Sequence, residues 1–331
     1  MKKKILLIYS GGTIGMIKDN VKDTLIPFNF DKLLKAIPEL KSEKINLSTI
    51  STKTPIDSSN MNTDNWVEIA NLLDANYNAY DSFIILHGTD TMGYTASALS
   101  FMLENLNKAV ILTGSQIPIG ERRTDAKENL ITSIEIATSD KVNDVCIYFE
   151  DKLYKGNRTT KVNTEHFQAF HSPNFPIMAE AGVNIKYKQN INKITGKLKI
   201  HTQISNDVAI LKLFPGIRAK TIQAIFNSAK GIVIESFGTG NAPTTLEFSK
   251  LINEAIKNRK ILINITQCLQ GSADLGKYAT SDPFRNSGVI CGKDITTEAA
   301  ITKLMFLLAR KLTDNEIKIE LEKNLRGEIS N

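Results

Sequence analysis

From residue 4 to about residue 140, short β-branched apolar runs alternate with amphipathic helical patterns, and this alternation limits the possible folds more than any other feature of the chain. Lys4 to Tyr9, Ile45 to Thr52, Phe83 to His87 and Ala109 to Thr113 read as strands. Asp31 to Ile37, Thr63 to Tyr77, Tyr94 to Leu106 and Asp125 to Ala137 read as helices. Strands joined through helices run parallel, and a parallel sheet is buried on both faces. The expectation is a flavodoxin-like α/β sheet. Asn62-Thr63-Asp64, placed just before Trp66, Ile69, Leu72 and Leu73, supplies a capping side chain where one of these helices begins.

Between about Lys186 and Ser205 the periodicity disappears and Lys, Asn and Thr dominate, which reads as a polar linker or a β-hairpin. Beyond it Val208 to Leu213, Gly231 to Ser236 and Ile261 to Ile265 alternate with helical patterns that end in Thr296 to Leu312 and Asp314 to Asn324. A chain of 331 residues can fill two cores. The expected organisation is a larger N-terminal catalytic α/β domain over 1–186, a linker over 187–205 and a smaller C-terminal α/β domain over 206–331.

Composition removes several classes of function. With 42% hydrophobic and 23% charged residues the chain is an ordinary globular protein, not a disordered one. The apolar run after Met1-Lys2-Lys3-Lys4 is too short for a signal peptide, and no stretch approaches the roughly 20 apolar residues of a membrane span. Both observations point to the cytoplasm and away from a membrane. Cys146, Cys268 and Cys291 are widely spaced with no Cys-x-x-Cys pair, and are expected to be reduced core residues. The net charge of +6 comes from scattered lysines and arginines without interleaved aromatics, so no nucleic-acid partner is expected. His87, His166, His171 and His201 lack zinc-like spacing; no metal is expected, and these histidines read as structural or solvent-facing.

In an open parallel sheet, ligands bind beyond the carboxyl ends of the strands. The first strand runs into Ser10-Gly11-Gly12-Thr13-Ile14-Gly15, where adjacent glycines permit a sharp turn that puts the Thr13 hydroxyl at the strand tip. Ile56-Asp57-Ser58-Ser59-Asn60 follows the second strand and His87-Gly88-Thr89-Asp90-Thr91 the third, so these loops should converge on one pocket. Taken alone, each could be a tight turn or a helix cap. A hydroxyl nucleophile needs a neighbouring base. No Gly-x-Ser-x-Gly elbow is present, so a lysine is the available base, and Lys161 in Asn157-Arg158-Thr159-Thr160-Lys161 is the candidate. Two glycine motifs are decoys. Gly271 to Tyr278 ends in tyrosine where a phosphate loop needs Ser or Thr, and Gly238-Thr239-Gly240-Asn241-Ala242-Pro243 has Pro243 in place of a dinucleotide glycine. No cofactor is expected.

These motifs, with Asn324-Leu325-Arg326-Gly327-Glu328 near the end, resemble over nearly the whole chain the bacterial-type L-asparaginases, in their cytosolic type I branch. The resemblance implies hydrolysis of free L-asparagine to L-aspartate and ammonia. Thr13 matches the family's first catalytic threonine, and Thr89, Asp90 and Lys161 match its second threonine, carboxylate and lysine. Thr13 would form an acyl-enzyme that water hydrolyses, Thr89 and Lys161 would relay the proton, and amides near Gly88 and Thr89 would stabilise the oxyanion. Asp90 would bind the substrate α-ammonium, and Ser58 with nearby amides its α-carboxylate. Ser59 stands where relatives with glutaminase activity often carry Gln or Glu, which favours asparagine. Family members are commonly homotetramers built from close dimers, and Asn241 is the candidate contribution from a neighbouring chain.

Two positions depart from the family pattern. Ser10 replaces a threonine, and Leu25 stands where the family has a tyrosine that orients the nucleophile; Ile17 to Phe30 contains no tyrosine. Either another residue supplies the phenol, or Thr13 is oriented differently, or the enzyme is weaker than its relatives. The alternatives within the resemblance are a glutaminase-asparaginase and the amidase part of a transfer-RNA amidotransferase. The latter would need an extra N-terminal domain, for which a motif beginning at Ser10 is not expected to leave room. A catalytically silent asparagine-binding sensor would keep Ser58 and Asp90 but need not keep Thr13, Thr89 and Lys161.

Overall fold

The computed structural model describes residues 2–19, 24–27, 37–40, 45–188, 194–276 and 279–330. The chain divides into two compact units, Met1–Thr202 and Gln203–Asn331.

In the first unit the strands of the main sheet are β1 (Lys3–Gly11), β2 (Ile45–Ile56), β3 (Ser82–Leu86), β4 (Val110–Thr113), β5 (Val145–Phe149), β6 (Lys152–Lys155), β7 (Ala179–Glu180) and β8 (Lys186–Tyr187). Among the described residues they form one sheet in the order β8-β7-β6-β5-β4-β3-β1-β2. The β2-β1-β3-β4-β5 part is parallel, the flavodoxin-like order expected. The other three strands add to one edge antiparallel. Ile5 to Tyr9 are each no more than 3% exposed, so β1 is covered on both faces and lacks an alternating pattern. Ile5, Leu7, Tyr9, Ile84 and Leu86 share one core with Ala126, Leu130 and Ile134 of a covering helix.

Among the described residues the α-helices of this unit are α1 (Thr63–Asn76), α2 (Met92–Met102) and α3 (Ala126–Thr138). Asn62 caps α1 as expected: its side chain accepts from the Asp64 and Asn65 amides, and Asn65 reciprocates at the Asn62 amide. The expected helix over Tyr94 to Leu106 ends earlier, at Met102. Leu103–Glu104 instead pair as a short strand with Lys199–Ile200, and Asn105 takes a left-handed φ of 60°, which a helix cannot continue through. The expected strand Ile45 to Thr52 runs on to Ile56. Of the expected helix Asp31 to Ile37, residues 31–36 lie outside the described residues. Leu25 lies in a short hairpin, paired by backbone register with Lys18.

The second unit holds β9 (Val208–Lys212), β10 (Gly231–Ser236), β11 (Ile261–Thr266) and β12 (Ile290–Cys291), all parallel in that order. Its longer helices are α4 (Ala219–Ser228), α5 (Leu246–Lys257), α6 (Thr297–Leu308) and α7 (Asp314–Glu322). Threonines 245, 296 and 313 cap α5, α6 and α7 through their hydroxyls. Leu211, Ile222, Phe226, Ile232, Ile234, Phe248 and Ile252 build the core. The Asn324–Glu328 motif is anchored to α6: Lys303 and Glu328 are fully buried and paired at 2.6 Å, and Glu328 also accepts from the Leu325 and Arg326 amides.

All three cysteines are free. Cys146 is buried as expected, but Cys291 is half-buried and Cys268 is exposed just past the end of β11, so the core reading fails for Cys268. Among the described residues no helix is long and apolar enough to cross a membrane, and no group of three or more His, Cys, Asp or Glu could hold a metal ion.

Candidate active site

The carboxyl ends of β1, β2 and β3 meet in backbone-to-backbone packing that only glycine allows. Past Tyr9 the register between β1 and β2 shifts, and the Gly12 amide donates to the Ile56 carbonyl at 3.2 Å. Gly11 has a φ of +125°, and a Cβ there would lie 1.9 Å from the Ile56 oxygen. A Cβ on Gly12 would lie 2.3 Å from the Gly88 nitrogen, and one on Gly88 would lie 2.5 Å from Ser58 Oγ. Ser58, Gly88 and Gly12 therefore stack, and the Thr91 hydroxyl locks the stack by donating to the Ser58 carbonyl at 2.7 Å.

Thr13 opens a single 3-10 turn that ends at Gly15, where the Gly15 amide donates to the Gly12 carbonyl. Beneath it the Tyr9 hydroxyl donates to the Gly15 carbonyl at 3.3 Å, and a Cβ on Gly15 would meet the Tyr9 ring at 2.4 Å. Tyr9 of β1 thus supports the Gly15 end of this turn. Burial raises the Tyr9 phenol above its ordinary pKa. Ser10 performs a job its hydroxyl suffices for, donating to the Leu86 carbonyl at 2.8 Å and tying β1 to β3.

Thr89, Asp90 and Lys161 come together directly. The Lys161 ammonium donates to Thr89 Oγ1 and to Asp90 Oδ1, each at 2.7 Å. The lysine side chain is 16% exposed and the carboxylate 62%, so the pair presents its acid outward and keeps its cation covered. Lys161 reaches this position by a route that the strand pattern did not reveal. Glu150 and Asp151, with φ of 46° and 64°, turn β5 into β6 as a hairpin, and Lys161 follows β6.

Gln116, absent from the sequence-based candidates, completes the group. Its Nε2 donates to the Thr164 and His166 carbonyls, which can only accept, so its Oε1 faces Thr89 and accepts from Thr89 Oγ1 at 3.4 Å. The Asp125 carboxylate accepts from the Gln116 and Ile117 amides and holds this loop in place. Gln116 follows the end of β4, where the carboxyl-end rule would have located it. Ser59, by contrast, is committed locally: its amide and hydroxyl both donate to Asp57 Oδ1, and these bonds hold the Asp57 carboxyl below its ordinary pKa. Asn241 lies in the second unit, in a turn closed by the Phe237–Asn241 bridge, and its Oδ1 accepts from Thr280 at 2.7 Å.

With this geometry in view, comparison with known proteins is specific. The family model described as Asparaginase, N-terminal, matches residues 4–193, and that of the Glutaminase/Asparaginase C-terminal domain matches residues 207–319. The chain belongs to the asparaginase family. It is 40% identical to L-asparaginase 1 of Escherichia coli K12 over 99% of this chain and 98% of that protein. The crystal structure of L-asparaginase I from Vibrio cholerae matches over the full length of both chains with a TM-score of 0.93 at 37% identity. The thermostable L-asparaginase from Thermococcus kodakarensis matches over 99% of both chains, again with a TM-score of 0.93, at 31% identity. The candidate residues Thr13, Thr89, Asp90 and Lys161 all fall in the first unit, within the stretch matched by the N-terminal family model.

Proposed function

We propose that this asparaginase-family enzyme hydrolyses the side-chain amide of free L-asparagine, with Thr13 as the nucleophile. The observation that carries the reading is the Lys161 ammonium shared between Thr89 and Asp90, at the end of β3 that packs onto the Gly12–Thr13 turn. Thr13 Oγ attacks the amide carbon, the carbon–nitrogen bond breaks, and ammonia leaves carrying the proton that Thr13 gave up. Water then opens the ester, releasing aspartate and restoring the hydroxyl, with Thr89 and Lys161 relaying the proton. Amides of Gly88 and Thr89 receive the oxyanion, a contribution commonly worth about 3 kcal/mol of barrier per donor.

The exposed Asp90 carboxylate has a second oxygen available for the substrate α-ammonium, while the Ser58 hydroxyl and neighbouring amides take the α-carboxylate. Ser59 contributes through its place in the Asp57 turn, and asparagine is the preferred amide over glutamine. The enzyme works in the cytoplasm, a reading consistent with three free thiols. It functions as a homotetramer or homodimer in which Asn241 serves a neighbouring copy's pocket.

Thr13→Ala abolishes ammonia release from L-asparagine without unfolding the protein, and turnover by that variant at the normal rate would sink the nucleophile assignment. Asp90→Ala raises KM for asparagine at least tenfold; an unchanged KM in steady-state kinetics would remove Asp90 from the α-ammonium site. Running the same assay on L-glutamine ranks the two amides.

A further inference from the structure

His87 directly follows β3, immediately before Gly88, and is 0% exposed, so it is shut off from solvent. Its two ring nitrogens are both engaged. Nδ1 lies 2.7 Å from the Gly88 carbonyl oxygen, and Nε2 lies 2.8 Å from Thr95 Oγ1 on α2. Trp66 on α1 donates its indole N–H to that same Thr95 oxygen at 3.0 Å. An indole nitrogen can only donate and a carbonyl can only accept, which sets two of the three directions, and a neutral ring protonated at Nδ1 leaves Nε2 as an acceptor, which sets the third. Trp66 donates to Thr95, Thr95 donates to His87 Nε2, and His87 donates from Nδ1 to Gly88. The ring is neutral in this arrangement, in keeping with a pKa that burial lowers to about 4.

The carbonyl of one residue and the amide of the next point in opposite directions across a planar trans peptide. With the Gly88 oxygen drawn inward to the buried imidazole, the Thr89 N–H points the other way, out of the core. No partner for that N–H is present among the described residues. Gly88 has no side chain to hold the peptide in this orientation, and Gly12 packs against its nitrogen, so the peptide plane depends on what grips the carbonyl.

We propose that His87 is a positioning residue for the reaction: its Nδ1–H fixes the plane of the Gly88–Thr89 peptide and so aims the Thr89 amide at the oxygen that becomes negative in the tetrahedral intermediate. The proposal rests on the reading that Thr13 attacks beside this peptide. An amide aimed at the transition-state oxygen acts on turnover far more than on ground-state binding.

Two isosteric substitutions separate this role from simple packing. In His87→Asn the side-chain amide nitrogen sits one bond from Cγ, as Nδ1 does, and can still donate to Gly88. In His87→Gln the amide group falls near the Nε2 position, where its Oε1 can accept from Thr95, and the grip on Gly88 is lost. With folding verified by circular dichroism, His87→Gln is expected to lose about ten- to a hundredfold in kcat for L-asparagine with KM within about threefold of native, and His87→Asn to stay within about threefold of native in both. A folded His87→Gln with native kcat, or a His87→Asn as impaired as His87→Gln, would overturn the proposal. So would an acid limb in the pH profile of kcat that vanishes in His87→Asn, because it would make His87 a proton carrier. Thr13→Ala, assayed alongside, isolates the underlying reading: full turnover by that variant would refute the acyl-enzyme, whereas an inactive Thr13→Ala beside a fully active His87→Gln would refute only the role of His87.

Discussion

His87 also contributes to acid sensitivity. The imidazole is neutral in the native state down to about pH 4, while an unfolded histidine protonates near its ordinary 6.5. Above pH 6.5 both states are neutral and the residue is indifferent to pH. Between 6.5 and 4 the unfolded chain binds the extra proton, so native stability falls as the pH falls, and below 4 this loss stops. The window of roughly 2.5 pH units corresponds to up to about 3 kcal/mol. Urea unfolding of the native protein and of His87→Asn at pH 7, 5.5 and 4.5 checks this: the stability difference between them shifts against the native protein as the pH drops. A difference constant with pH would contradict the assignment of a neutral buried ring. At this scale the sequence singled out Thr13, Ser58, Thr89, Asp90 and Lys161 by their places after strands, because strand ends are where a parallel sheet leaves backbone and side chains free for a ligand. It could not distinguish His87 from the other three histidines, because tautomer and burial are properties of the neighbours that the fold supplies.

At the scale of elements, the loop after β4 illustrates how a helix start serves the site. Asp125 precedes α3 but makes no side-chain cap to it; its carboxylate turns back to the Gln116 and Ile117 amides and to Asn129 Nδ2. Asp125→Ala strands these donors in a place that is only 7% open at Asp125 itself. The expected cost is about 2–3 kcal/mol in chemical denaturation, together with a several-fold drop in kcat as Gln116 loses its hold on Thr89. Loss of stability with native kcat would detach Gln116 from the chemistry. The helical period made α1 and α3 legible, and Asn62 announced the first of them. The β5–β6 hairpin was not legible: its Glu150-Asp151 turn lacks glycine, and both residues are held in the left-handed region by the pairing of Cys146–Phe149 with Lys152–Lys155. The early end of α2 is likewise a tertiary effect, because Leu103–Glu104 find strand partners nearly a hundred residues away.

Across the whole molecule, each unit carries its own core and sheet, mostly parallel in the first and parallel in the second, and the second is closed by a buried ion pair. Lys303 donates to the Leu321 carbonyl at 2.9 Å as well as to Glu328, so one ammonium joins α6, α7 and the Asn324–Glu328 segment. Burial pushes the Lys303 pKa down while the Glu328 carboxylate acts to raise it. Removing one partner leaves the other charge buried and uncompensated, so Lys303→Met should destabilise the protein by about 3–5 kcal/mol in urea unfolding, and adding Glu328→Gln should recover part of the loss. Additive effects of the two substitutions would mean that the pair is not coupled. The sequence by itself determined the α/β class, the two-part organisation into sheets and the residue types of the site, because periodicity and glycine placement are local physical constraints on the backbone. Only the tertiary structure decided which groups share a proton or a hydrogen bond: Lys161 with Thr89 and Asp90, Gln116 with Thr89, His87 with the Gly88 carbonyl. Those pairs lie far apart in the chain or depend on burial, and both proximity and desolvation arise only when separate strands and loops are brought to the same end of the sheet.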